Sequence, residues 1–227
     1  SRGLGDVYKR QDLHRDMAMR CYMLEQSEVN KTTRYCGKNM FVFPQFYGDW
    51  YIDCARSLWE AVGKLHLVTV SGKSLRQHLA EQGIRGLGAL DPKQDPRPGT
   101  FEKHIKEVER WFWEKKFPDY AKWKQSWYEQ YRKLGYMLTL TGFICQGWMK
   151  KNEIINYPVQ GSAFHCLLWS LIQLVREMRR RKMRSLVVGQ IHDSIVADVV
   201  PAELQDYIHL VRKIMSKSLV EHWDWIC

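Results

Sequence analysis

The sequence predicts an α+β fold, and three observations lead there. Most of the chain carries apolar residues at helical spacing. Residues 186–199 instead set two β-branched runs around Gln190, His192, Asp193 and Ser194, which reads as strand, tight turn, strand. Residues 135–142 alternate like a strand entering a turn at Gly142.

With 227 residues, 45% of them hydrophobic and 10 of them Trp, the chain has ample material for a packed core and is not a disordered segment. A formal net charge of +10 implies an acidic partner, most simply nucleic acid, against the plainer alternative of a merely basic surface. The 6 Cys show neither a CxxC pair nor zinc spacing, so reduced thiols are expected. No apolar run approaches a membrane span and no signal-peptide pattern is present, so no membrane partner is expected. The chain begins at Ser1, and residues 1–11 resemble translated adapter sequence. They are expected to be an artefactual leader and are set aside from fold reasoning. The last residues, Trp223 to Cys227, form an apolar run without a helix stop, which suggests a fragment.

Residues 12–27 read as a helix opening at Asp12, with Leu13, Met17, Cys21 and Leu24 as its apolar stripe. His14 lies near its N-terminal end, where backbone N–H groups favour anions. In residues 31–48, Arg34 and Lys38 are four apart and share one helical face. Two such cations can grip a triphosphate, Arg as a fork and Lys as a point charge, or can be a solvated basic face. The aromatic run that follows, including Phe43, Phe46 and Tyr47, can stack on a base or pack in a core, and Pro44 predicts a kink or an end there. Residues 49–62 continue as an aromatic amphipathic helix. Glycines and prolines between 83 and 100 mark a loop insertion.

Two helices separated by Pro118 come next. Tyr120, Trp123, Trp127 and Tyr131 stripe the second towards a core. Lys115, Lys116, Lys122, Lys124, Arg132 and Lys133 are expected on a basic outer face that can track a phosphate backbone. Residues 156–163 (Asn-Tyr-Pro-Val-Gln-Gly-Ser-Ala) lead into a helix through Met178 with arginines at its C-terminal end. Asn156 and Gln160 carry amides that can donate to minor-groove acceptors. After the hairpin, a final helix over about 202–220 is expected to pack on its sheet. Asp193, held at the tip of a rigid hairpin, suits a divalent metal, since Mg²⁺ takes one or two protein carboxylates and fills its octahedron with phosphates and water. A polar turn in a core hairpin is the plainer alternative.

Taken together these segments resemble the C-terminal part of family A DNA polymerases. The likeness spans about residues 12–220. It rests on Asn156-Tyr157-Pro158-Val159-Gln160-Gly161, on His192-Asp193, on Asp12-Leu13-His14, and on Arg34, Lys38, Phe43, Tyr47 and Gly48. Gly135-Tyr136 with Thr139-Leu140 and Gly142 adds a further segment. The resemblance implies a helical fingers subdomain over 12–134 and part of an antiparallel-sheet palm over 135–227 with a catalytic hairpin. It implies Arg34, Lys38 and His14 on the incoming dNTP, Phe43 stacked near that nucleotide and Tyr47 at the template base. It further implies Asn156 and Gln160 on the minor groove of primer-template DNA, His192 at the primer end, and Asp193 on two catalytic Mg²⁺ ions. The implied setting is the cytoplasm of a bacterial or phage-infected cell.

The sequence also departs from the family. Ser194 stands where many relatives have Glu, and Phe143-Ile144-Cys145 replaces common arginines. The interval from Lys38 to Phe43 is one residue longer than usual. The palm's other metal-binding Asp lies upstream of Asp12 in relatives, so the isolated chain is expected not to polymerise. The alternatives are a metal-dependent phosphohydrolase built on His192-Asp193 and a non-catalytic nucleic-acid-binding protein.

Overall fold

The structure, a computed structural model, describes residues 12–226. The expectation about residues 1–11 lies outside the described residues. The chain divides into two compact units. The first runs through Gln130 and takes in Lys151–Ile155, and the second holds Tyr131–Lys150 and Asn156 onward.

In the first unit, helix α1 (Leu13–Tyr22) opens on Asp12, whose carboxylate accepts the Arg15 N–H at 3.1 Å. It is shorter than the sequence predicts. Met23 turns left-handed (φ 55°) and ends it, and residues 26–28 form a separate 3₁₀ turn. Asn30 then caps α2 (Lys31–Gly37), accepting the N–H groups of Thr32 and Thr33. A π-helical turn (Lys38–Val42) carries α2 into α3 (Phe43–Tyr47). Pro44 does not end the helix: it stands in the first turn after the π segment, the irregular step at which the helix changes its ladder. Gly48 (φ 94°) closes the helix in the left-handed region.

Helix α4 (Tyr51–Lys64), the short α5 (Leu75–Glu81) and α6 (Phe101–Trp111) complete the core of this unit. Met17, Phe41, Leu58, Ile105 and Phe112 are fully enclosed there. A π turn (Phe112–Lys116) leads to α7 (Pro118–Leu134). Of the α7 stripe only Tyr131 is buried; the flanking Trp residues are partly covered.

In the second unit β1 (Tyr136–Leu138) pairs antiparallel with β2 (Ile144–Gln146). Helix α8 (Lys151–Arg180) begins earlier than the sequence predicts, so Pro158 lies inside it. Proline there cannot bond the Ile154 carbonyl; the Trp127 indole N–H donates to that oxygen at 3.1 Å instead. The lost backbone bond is thus replaced, and the helix continues through the proline. Strands β3 (Leu186–Ile191) and β4 (Ser194–Asp198) form the expected hairpin, with a register shift between Val187 and Gly189. The last helical stretch is a 3₁₀ turn, α9 (Leu204–Arg212), a π turn (Lys213–Ser218) and α10 (Leu219–His222) rather than one regular helix. Leu210 and Ile214 bury against Leu174 and Met178, with Val187 and Ile195 of the hairpin beside them. Mostly helical units with two small antiparallel sheets make the α+β class. No helix is long and apolar enough to cross a membrane among the described residues.

Candidate functional site

His14, Arg34, Lys38, Phe43 and Tyr47 come together in the first unit. The His14 and Phe43 rings meet edge to face, with centroids 5.9 Å apart and planes at 88°. The Lys38 ammonium sits 4.9 Å from the Phe43 centroid, within cation–π range. Phe43 and Tyr47 lie 5.9 Å apart in turn. Burial first, and then the positive charges of Arg34 and Lys38, hold the His14 imidazole below its ordinary pKa. The neutral form of the ring is thereby favoured beside a guanidinium and an ammonium. Its Nδ1 is buried with no hydrogen-bond partner among the described residues.

Two features hold this cluster together that the sequence reading passed over. Gly37 lets α1 and α2 touch: a Cβ built on it would lie 2.9 Å from both the Ala18 nitrogen and the His14 carbonyl oxygen. Both are backbone atoms, so there is no flexible neighbour to give way. Asp12 is the second feature. The carboxylate that caps α1 also accepts Arg34 Nε at 2.7 Å, which holds its pKa below the usual carboxylate range. Because Asp12 engages the inner nitrogen of the guanidinium, the outer pair still points away as a fork. The pair is substantially exposed, so its contribution is orientation more than stability.

The helix over residues 31–47 is anchored from behind by Gln45, which is fully buried. Its amide donates to Glu109 Oε1 at 2.7 Å and its oxygen accepts the Trp113 indole N–H at 2.7 Å. Burial raises the Glu109 carboxyl above its ordinary value. Phe46 adds edge contacts to Phe112, Trp113 and Phe117. Lys124 is not on the outer face where the sequence puts it. Its ammonium lies 3.2 Å from the Trp113 ring centroid, and burial lowers its pKa to about 8. An aromatic residue one turn from a lysine was the available signal, but helical spacing alone does not say which side of the stripe is covered.

The remaining expected residues belong to the second unit. Asn156 and Gln160 sit one turn apart on α8, with Gln160 exposed. A shallow groove beside Gln160 is lined by Thr139, Phe143, Tyr157, Gly161, Phe164 and His165. Gly161 admits the β1–β2 turn: an added Cβ would meet Thr139 Cγ2 at 3.3 Å, and Ser162 Oγ accepts the Leu140 N–H at 2.9 Å. His192 and Asp193 form the two-residue turn between β3 and β4, both exposed. His192 is left-handed (φ 51°), and the Gln190 amide donates to its carbonyl at 3.0 Å. A non-glycine residue in that region costs about 1 kcal/mol or more, a strain that tends to be kept at functional positions.

Asp193 fits a divalent cation as one ligand at an exposed turn, with phosphate and water free to supply the others. Among the described residues no group of three His, Cys, Asp or Glu side chains stands ready to hold a metal ion. At the turn itself the carboxylate is Asp193 alone, since Ser194 follows it. Cys21, Cys36, Cys54, Cys145 and Cys166 are all free.

Comparisons with known proteins bear on both units. The sequence profile of DNA polymerase family A matches residues 105–223, more than half of the chain, including Asn156, Gln160, His192 and Asp193. DNA polymerase I of Lactococcus lactis subsp. cremoris is 34% identical over 77 residues, which are 34% of this chain and 9% of that protein. The DNA polymerase of Bacillus phage SP01 is 30% identical over 113 residues, 45% of this chain and 12% of that one. Among solved structures, the POL domain of Pol1 from M. smegmatis, in complex with DNA primer-template and dNTP, matches with a TM-score of 0.62 at 19% identity. That match covers 96% of this chain and 33% of the other, and shows a shared fold. The aligned stretches thus span about a tenth of the curated relatives' length.

Proposed function

The chain belongs to DNA polymerase family A, and on that premise we propose that it is part of an enzyme for template-directed DNA synthesis, its first unit binding the incoming dNTP. One observation carries the reading. Residues as distant in sequence as His14 and Tyr47 converge on one cluster that combines two basic side chains, an imidazole held towards its neutral form and two aromatic rings. A nucleoside triphosphate asks for that combination: charge for the phosphates, a neutral hydrogen-bonding ring, and flat surfaces for a base.

In this reading Arg34 grips phosphate oxygens with the outer nitrogens of its fork, Lys38 adds a point charge, and His14 supplies a neutral hydrogen-bonding ring. Phe43 stacks near the nucleotide, and Tyr47 meets the template base. In the second unit Asn156 and Gln160 donate to minor-groove acceptors that all base pairs share, so they register duplex shape without selecting sequence. His192 orients the primer end. Asp193 supplies one carboxylate to Mg²⁺, which when bound neutralises developing charge as the primer 3′-hydroxyl displaces pyrophosphate. The setting proposed with it is the cytoplasm of a bacterial or phage-infected cell, in keeping with its bacterial and phage relatives.

The test is calorimetric titration of dATP into the full chain. Arg34→Ala and Lys38→Ala should each weaken binding by about tenfold or more, the worth of one charge-assisted contact. Unchanged affinity in both variants would overturn the reading.

A further inference from the structure

The four residues that line the face of the helix over 31–47 are unevenly spaced. Arg34 to Lys38 is four residues, Lys38 to Phe43 five, and Phe43 to Tyr47 four. On a regular α-helix residues five apart point about 140° away from each other, so Lys38 and Phe43 would face different ways. They do not: the Lys38 ammonium lies 4.9 Å from the Phe43 ring. The π turn resolves the conflict, and it occupies the long interval itself, Lys38–Val42. The Phe43 N–H bonds the Lys38 carbonyl, the i→i+5 closure of a π turn, which stacks residues five apart.

The packed face of the helix crosses the same long step, with five residues from Gly37 to Val42. Gly37 touches α1, Val42 is buried, and Gln45 holds Glu109 and Trp113. A regular helix over the same residues would turn either this buried face or the cluster face out of register. Asn39 marks the extra residue. It is not buried, and its side-chain amide donates to the Tyr35 carbonyl at 3.0 Å, one turn back, where the backbone ladder changes step. Of the residues that follow it in the turn, Phe41 and Val42 are buried and Met40 packs against the same core, so none of the three is the spare position.

We propose that the π turn at Lys38–Val42 absorbs Asn39 as an inserted residue and thereby keeps Lys38 in line with Phe43 and Tyr47, so that the turn, and not Asn39 itself, holds the nucleotide-facing side chains in register. This rests on the dNTP reading of the cluster. π turns confined to one step of a longer helix are frequent at functional sites, where they re-aim side chains without ending the helix.

The inference is tested by deleting Asn39 from the full chain and reading both thermal melting and the affinity for mant-dATP, with Lys38→Ala in parallel. The deletion shortens the interval to four residues, so the π turn relaxes to α-helix and both faces keep their register. The deletion variant should therefore fold, melt at or above the parent temperature, and bind within about twofold of it, as for a near-neutral change. Lys38→Ala should bind about tenfold more weakly. A deletion variant that fails to fold, or that folds and loses about tenfold in affinity while Lys38→Ala also loses it, overturns the π-turn inference alone. Unchanged affinity in Lys38→Ala takes Lys38 off the nucleotide and overturns the inference that rests on that contact; normal melting of the deletion variant would then leave the turn as a packing device.

Discussion

At the scale of single residues, the cluster works by keeping one ring neutral among charges. His14 is pushed below the ordinary histidine value first by burial and then by Arg34 and Lys38. In the unfolded chain that shift disappears, so the unfolded state binds the proton more readily in the window just below the ordinary histidine value of 6.5. Its contribution to stability is therefore fully present above that value and is lost as pH falls through the lowered folded value. An NMR titration should show His14 protonating at lower pH than a free histidine, and Arg34→Ala should move it upward; an unmoved midpoint would mean the cations do not act on the ring. His14, Arg34 and Lys38 were legible in the sequence because spacing and residue type announce them. Asp12 as the partner of Arg34, and Gln45 as the anchor behind the helix, were not, because both roles depend on contacts with other elements.

At the scale of elements, the close approach of α1 and α2 brings His14 to Arg34 and Lys38. Gly37 permits it, and the obstacle to any side chain there is backbone on the other helix. Gly37→Ala should cost about 1–3 kcal/mol of stability, the usual cost of overpacking. It should also weaken dATP binding by separating the two helices. Melting and titration of the same variant check both, and a variant that melts lower yet binds as before would show that the cluster tolerates the separation. Periodicity found the helices but misjudged how they begin and end. It ran α1 past Met23, whose left-handed backbone no propensity announces. It started α8 too late, because Pro158 looks like a boundary until the Trp127 indole takes the carbonyl that proline leaves unpaired. It could not see the π turn, since a period of 3.6 has no place for one longer step; only the uneven interval between Lys38 and Phe43 hinted at it.

At the scale of the whole molecule, the α+β class followed from the contrast between long helical periodicity and two short alternating stretches. The loop over 83–100 followed from its glycines and prolines. The placement of Lys124 did not follow, since which side of an aromatic stripe is covered depends on the helix that lies across it. The single carboxylate at the β3–β4 turn leads to a further expectation. Two-ion chemistry asks for a second carboxylate, and at the turn Asp193 is followed by Ser194, so the chain of residues 1–227 is expected not to extend a primer in Mg²⁺. Extension that Asp193→Ala abolishes would show that a second carboxylate within the chain completes the site.

The central claim is that one face of the first unit holds a nucleoside triphosphate, and its most direct test is a crystal structure of the chain grown with dATP and Mg²⁺. The account predicts phosphate oxygens within hydrogen-bond reach of the Arg34 fork, the Lys38 ammonium and the His14 ring, with the base against Phe43 or Tyr47. A triphosphate bound instead along the lysines of α7, with the cluster of His14, Arg34 and Lys38 empty, would contradict it.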